Sequence, residues 1–154
     1  MQALAHGNVL PPATAQALEK IIALESKVGE MPQKRWQIEH VLNGGMYSRT
    51  CRLERGDLIV GAQIKVPTQL VIHGSAYVFA GEKWFAIEGF QVIAASAGRK
   101  QVFLAVGDTE ITMIFPTQAK TVAEAEAEFT DEASRLQTQC SDGNDLVTIT
   151  GIDA

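Results

Sequence analysis

Cysteine, histidine and clustered basic residues are all scarce in this sequence. The 154 residues include two cysteines, three histidines and 13 Lys and Arg against 18 Asp and Glu. Two cysteines as far apart as Cys51 and Cys140 form neither a disulfide framework nor a metal knuckle, so we expect two reduced thiols. The basic residues are dispersed, and phosphate binding needs concentrated positive charge. Nucleic acid is therefore not expected as a partner.

Long apolar runs are also missing. No stretch approaches the roughly 20 apolar residues of a transmembrane helix, and the first ten residues lack the basic and then apolar pattern of a secretory signal. We therefore expect a cytoplasmic protein with no membrane partner. The length, with 46% hydrophobic and 20% charged residues, predicts a single domain over residues 1–154 that buries a sizeable core.

Two amphipathic segments and an alternating tail lie outside the middle of the chain. Thr14 can cap a helix within residues 11–30, whose apolar residues recur every three or four positions over a broad face. Thr121 and Glu124 form a capping box that begins a second predicted helix, over residues 121–139. Alternation within residues 144–151 predicts a short strand-like tail.

Residues 36–116 have the pattern of many short strands separated by turns. Asn43-Gly44-Gly45 is a strong hairpin signal, because such a turn needs positive φ, and His73-Gly74 is also predicted to be a turn. The even spacing of the turns indicates an antiparallel sandwich or barrel. The predicted strands are Trp36–Leu42, Met46–Leu53, Leu58–Lys65, Leu70–Ile72, Ala76–Phe79, Trp84–Ile87, Gln91–Ala94, Gln101–Val106 and Glu110–Phe115.

Five short features between Gly44 and about Thr117 carry a resemblance to a known family. They are Gly45-Met46-Tyr47-Ser48-Arg49, Arg55-Gly56-Asp57, Gly61-Ala62-Gln63-Ile64-Lys65-Val66-Pro67, the turn at Gly74, and Ser96-Ala97-Gly98-Arg99-Lys100-Gln101. This half of the chain resembles the cupin superfamily of jelly rolls, and looks most like small cupin-like proteins of bacteriophages and bacteria. The resemblance implies a mainly β fold: a cupin-like jelly-roll barrel with an N-terminal amphipathic helix, a C-terminal helix and a short strand-like tail. It also implies a bacterial or phage-infected host cell.

The residues that bind metal in cupins are replaced here. Metal-binding cupins carry His-x-His, then a Glu, and later a His that ends a Pro-x-Gly-x-x-His stretch. By resemblance, Gln63 and Lys65 stand near the first two His, Gln69 near the Glu, and Gln101 at the last His. Glutamine amides are poor ligands for these metals, and a protonated lysine repels a cation. We therefore expect a metal-free barrel with no cofactor, and His6, His40 and His73 do not restore the ligand set.

The replacing residues suggest a ligand pocket. Gln63 and Lys65 share one face of a strand by the two-residue period, and in a cupin-like barrel this face points inward, where Gln101 joins it. The cluster either binds a small polar or anionic ligand, or is a vestigial site whose polar groups satisfy one another or bind water. The candidate ligand-binding residues are Gln63, Lys65, Gln69, His73, Tyr77 and Gln101.

Two other functions stay open. A metal-free sugar isomerase or epimerase would use a His base and a Tyr acid, but beside Tyr47 and Tyr77 no His–Asp pair can be placed in the barrel. We assign no catalytic residue and favour a non-enzymatic role. Alternatively, the helices and the tail exceed what a minimal barrel needs. They suit self-association, most simply as a homodimer, or the binding of a host or phage protein.

Overall fold

The computed structural model describes residues 1–4, 7–136 and 145–151. Within them the chain forms ten strands in one sheet and two α-helices, so the predicted mainly β fold with two helices and a strand-like tail is confirmed. His6, Cys140 and Asn144 lie outside the described residues, as does the predicted helical stretch 137–139. The elements are β1 Gln2–Ala3, β2 Val9–Leu10, α1 Ala15–Gly29, β3 Glu39–Asn43, β4 Met46–Leu53, β5 Leu58–Val60, β6 Thr68–Ala80, β7 Lys83–Ala95, β8 Val102–Ala105, β9 Thr109–Pro116, α2 Val122–Phe129 and β10 Leu146–Thr150.

The first hairpin forms where the sequence predicts it. Asn43 pairs with Met46 across a two-residue turn, in which Gly44 and Gly45 have φ of 58° and 77°. These left-handed angles match the right-handed twist of the flanking strands and favour glycine. The predicted strand Met46–Leu53 is confirmed as β4, whereas β3 begins at Glu39 and not at Trp36.

The prediction of a turn at His73-Gly74 is wrong. Both residues lie inside β6, which pairs with β7 along 13 residues. The four short strands predicted between Leu70 and Ala94 are therefore two long strands, β6 and β7. Gly74 faces Gly89 across the pair, and both have positive φ, 143° and 74°. The two glycines allow the hairpin to bend without ending, since glycine adopts such angles freely.

The bend divides the sheet into two layers. The first half of β6 pairs with β9, and the second half pairs with β8. On the other side, β7 pairs with β1 near its start and with β2 near its end, in parallel strands that the sequence pattern did not predict. The layers enclose one apolar core, which includes Leu10, Tyr47, Leu53, Leu70, Ile72, Val78, Ile87, Ile93, Phe103, Met113 and Phe115.

The two helices begin at the predicted caps. The Oγ1 of Thr14 accepts from Ala17 N in α1, and the Oγ1 of Thr121 accepts from Glu124 N in α2. Only Ala17 and Ile21 of α1 are buried, so the broad apolar face is covered in part. No helix in the described residues has the length and apolar character needed to cross a membrane.

The second helix is shorter than predicted. It ends at Phe129, because Thr130 turns to an extended conformation and its hydroxyl donates to the carbonyl of Gln63. The backbone N–H of Lys65 in turn donates to the carbonyl of Phe129. The chain after α2 is thus tied to residues 63–65 and continues through a single 3₁₀ turn at Ala133–Arg135.

We expect Gly74→Ala to destabilise the protein much more than Gly89→Ala. A Cβ at Gly74 would lie 2.6 Å from the Cα of Thr109, whereas a Cβ at Gly89 would have no atom of the described residues within 4 Å. Strain and overpacking together predict a loss of about 2–4 kcal/mol at Gly74, against about 1–2 kcal/mol for strain alone at Gly89. Urea unfolding of both variants measures the difference, and equal losses would contradict the close approach at Gly74.

Candidate functional site

A cavity of about 390 Å³ lies inside the barrel. Strands β4, β5, β6, β8 and β9 contribute its walls, and the C-terminal half of α1 and the residues that follow it lie along one side. Most of the lining side chains are apolar, which is typical of a small-molecule pocket. The apolar residues include Ile38, Leu58, Ile59, Ile64, Leu70, Phe103, Ile111, Met113 and Phe129.

The structure places Gln101 in this cavity but leaves Gln63 and Lys65 outside it. Strand β5 ends at Val60, and beyond it Ile64 forms a bridge with Arg99 and is buried. Because neighbouring residues in extended backbone point to opposite sides, Gln63 and Lys65 face solvent. The predicted inward orientation of this pair is therefore wrong, and the Nζ of Lys65 lies 2.7 Å from Asp131 Oδ1 at the surface.

The other three predicted site residues lie on β6 and do not line the cavity. Gln69 and His73 are exposed, and Tyr77 is half-buried. The buried positions of β6 are the even-numbered ones on both sides of Gly74, such as Leu70, Ile72, Ala76 and Val78, so these odd-numbered residues belong to the outer face. The structure thus brings none of the other predicted residues together with Gln101.

Arg99 is the residue that the sequence analysis missed. It is 1% exposed and lines the cavity. Its Nε donates to Gln101 Oε1 at 3.3 Å, its Nη1 to the carbonyl of Ser96 at 3.0 Å and its Nη2 to Thr68 Oγ1 at 2.6 Å. All three acceptors are neutral, and burial lowers the pKa of Arg99 to about 10. The guanidinium stays charged at neutral pH, and none of the described carboxylates forms an ion pair with it.

Gln101 offers an unused donor next to this charge. The residue is 6% exposed, and its Nε2 is the buried side-chain nitrogen or oxygen that has no hydrogen-bond partner among the described residues. The orientation of its amide follows from Arg99, since an arginine Nε can only donate and must face the oxygen. Leaving such a donor unsatisfied costs about 1–3 kcal/mol.

The neighbouring buried charges are compensated. The side chain of Lys100 is 1% exposed, and its Nζ lies 2.9 Å from Glu25 Oε2 in α1 and 3.3 Å from Glu132 Oε2. Arg49 Nη1 lies 2.9 Å from the buried Glu126 Oε2. These contacts tie α1 and the segment after α2 to the barrel. Among the described basic residues of the cavity wall, Arg99 thus differs in having only neutral contacts.

The cavity wall does not suit a metal ion. The guanidinium of Arg99, which has only neutral contacts, repels cations, and burial raises the pKa of the Cys51 thiol to about 11, which disfavours the thiolate that binds metal. No group of three or more His, Cys, Asp or Glu side chains in the described parts of the chain is arranged to hold a metal. The absence of a metal from the protein stays a prediction.

Several solved structures align with part of the chain. A cupin superfamily protein from Desulfitobacterium hafniense is 10% identical, with 56% of this chain and 84% of that chain aligned at a TM-score of 0.44. A cupin-2 domain containing protein from Shewanella frigidimarina is 12% identical over 64% and 97%, with a TM-score of 0.43. A conserved protein of unknown function from Streptococcus pyogenes is 16% identical over 56% and 77%, with a TM-score of 0.45. No family model and no curated protein matches the chain.

A buried polar chain lies outside the cavity, at the edge of the sheet. His40 is fully buried, with Nδ1 2.7 Å from Tyr47 Oη and Nε2 3.1 Å from Asp145 Oδ2. Asp145 also accepts from the backbone N–H of Ile38 and so holds the start of β10 against β3. The sequence analysis found no His–Asp pair that it could place, because these two residues are 105 positions apart. Neither His40 nor Tyr47 lines the cavity.

We expect His40 to make the protein less stable in acid. Burial lowers the pKa of His40 below its usual 6.5, although the Asp145 carboxylate opposes this shift. The unfolded chain therefore binds a proton near pH 6.5, whereas His40 in the folded chain stays neutral at that pH. The contribution of neutral His40 to the stability of the fold is full above pH 6.5 and is lost as the pH falls towards the folded pKa. Urea unfolding between pH 7.5 and 5 should show that the free energy of unfolding falls more steeply with pH for the wild type than for His40→Gln. His73→Gln, at an exposed position, should keep the wild-type profile, and a His40→Gln profile that is equally steep would count against this assignment.

Proposed function

We propose that this cupin-like protein is a non-enzymatic binding module that holds a small ligand inside its barrel. The observation that carries the proposal is the cavity of about 390 Å³ with its largely apolar wall. Small-molecule sites fall in this size range and combine such walls with a few placed polar groups. Among the polar residues of this wall, the buried Arg99 and Gln101 have no carboxylate partner in the described part of the chain, and they favour a ligand with a polar or anionic end.

The position of α1 supports ligand binding over a filled core. Glu25, Val28 and Gly29 of this helix border the cavity, and Lys100 anchors the helix through Glu25. The exposed Gln33 stands at the rim, so the apolar interior reaches solvent beside the helix. An opening of this kind gives a small molecule a way in without unfolding the barrel.

An isomerase or epimerase is less well supported. His73 and Tyr77 lie on the outer face of β6, and the hydrogen-bonded pair His40 and Tyr47 is not among the residues that line the cavity. A general acid and base must reach the substrate within hydrogen-bond distance. We therefore favour binding over catalysis.

Filling the cavity should abolish binding of a neutral apolar probe. Ile111 lines the cavity from β9, whereas Ile114 on the same strand points to the outer face. We expect the wild type and Ile114→Trp to bind N-phenyl-1-naphthylamine with enhanced fluorescence, and Ile111→Trp to lose this binding. Circular dichroism and thermal melting establish that both variants are folded. A wild type without probe binding, or equal binding by both variants, would remove the proposal.

The second candidate function is self-association as a homodimer, in which the outer face of β7 forms the contact surface. Phe90 and Val92 lie two residues apart on this face and are 64% and 41% exposed, and Val9 of the neighbouring β2 is 56% exposed. Exposed apolar patches mark interaction sites, and symmetric pairing is the commonest way to cover one. The occupant that we propose is a second copy of the chain.

Light scattering at tens of micromolar protein should report a dimer for the wild type. Replacing Phe90 and Val92 together by Ser should give a monomer, because the apolar contact is lost. Met46→Ser at the tip of the first hairpin removes a side chain that is 45% exposed elsewhere and should leave the dimer intact. A monomeric wild type would exclude the dimer, and a dimeric double variant would exclude this face.

A further inference from the structure

The charges around the cavity leave one positive charge over. Arg49 is paired with Glu126, and Lys100 is paired with both Glu25 and Glu132. Arg135 lies 4.0 Å from Glu132 at the exposed rim. Arg99 contacts only neutral groups, and no ion pair joins it to any residue that the structure describes. A bound group that balances the site should therefore carry a single negative charge.

The side chains of Arg99 and Gln101 also carry hydrogen-bond donors that have no acceptor among the described residues. A guanidinium has five N–H donors, and the three contacts of Arg99 leave one N–H on each of its two terminal nitrogens for a further acceptor. The buried Nε2 of Gln101, on the residue that Arg99 contacts through Nε, adds two further unused N–H donors. All of these groups donate, so the ligand has to accept.

We propose that the ligand of the barrel is a monocarboxylate with an apolar chain or ring, bound through Arg99 and Gln101. The inference rests on the proposed function and names the ligand class of that same cavity. A carboxylate matches the planar fork of a guanidinium and supplies one negative charge. A neutral alcohol would leave Arg99 unbalanced, and a dianionic phosphate would bring one charge too many. The apolar remainder of the ligand packs against Leu70, Ile111 and Met113.

Three ligands with one tail and different head groups test the inference on the wild-type protein. Calorimetric titrations with octanoate, octan-1-ol and octyl phosphate should give at least tenfold tighter binding for octanoate than for either of the others. Equal binding of octanoate and octan-1-ol would overturn the carboxylate inference and leave the proposed function in place. Tightest binding of octyl phosphate would also overturn it. Failure of all three ligands and of the neutral probe would overturn both.

Gln101→Glu is the sharpest variant, because it changes the shape of the side chain very little. The new carboxylate would pair with Arg99 and take the place of the ligand's charge. We expect the unliganded variant to melt at a higher temperature than the wild type, to bind octan-1-ol as the wild type does, and to lose the preference for octanoate. An unchanged preference for octanoate in this variant would sink the inference.

Arg99→Met and Lys65→Met form a matched pair. The first removes the unbalanced charge of the cavity, and the second removes a surface charge that already has Asp131 as partner. Octanoate affinity should fall at least tenfold in Arg99→Met, to about that of octan-1-ol, and should stay within twofold of the wild type in Lys65→Met. Equal effects of the two substitutions would mean that the Arg99 charge does not select the ligand.

Discussion

The bend at the middle of the β6–β7 hairpin is the constraint on which the rest of the structure depends. A flat hairpin of 13-residue strands could not pair with β9 at one end and β8 at the other while enclosing a core. The bend needs Gly74, whose positive φ and close approach to Thr109 exclude a side chain. Because the cavity lies between the two layers, its walls exist only as long as the hairpin bends.

The short segment that follows β7 contains the destabilising buried polar groups of the site, and the same groups are the ones proposed to bind the ligand. Arg99, Lys100 and Gln101 are consecutive and buried, yet of these three only Lys100 has carboxylate partners within residues 1–4, 7–136 and 145–151. An unbalanced buried charge and an unsatisfied amide are both destabilising, and a domain has only about 5–15 kcal/mol of net stability. Buried groups that break the rules of stable packing in this way are typical of functional sites. This segment therefore carries the proposed function, whereas the exposed Gln63 and Lys65 do not.

How much the sequence predicts depends on how local the signal is. The turn at Gly44-Gly45 and the helix caps at Thr14 and Thr121 are set by neighbouring residues, and all three were predicted correctly. Gly74 could not be read in this way, because a glycine between two apolar runs marks either a turn or a bend, and the partner Gly89 on β7 decides which.

The site shows the same limit. The resemblance to cupins led to Gln101, which the structure places in the cavity. It misled at Gln63 and Lys65, because β5 ends at Val60 and the register of the next residues is set by the bridge between Ile64 and Arg99. A shift of one position exchanges the two faces of an extended segment. The burial of Arg99 had no local signal, since arginine is usually exposed.

The parallel pairing of β10 with β3 has a consequence for the order of folding. Leu146 pairs with Glu39, so the two strands are separated by most of the chain, whereas β3 and β4 form a local hairpin. Contacts between distant segments carry a large loop-closure entropy and form late. During synthesis on the ribosome, β3 therefore emerges long before β10 and presents an open edge to other chains. When β10 finally pairs with β3, it covers that edge, and the nascent chain is most prone to aggregate before this pairing forms.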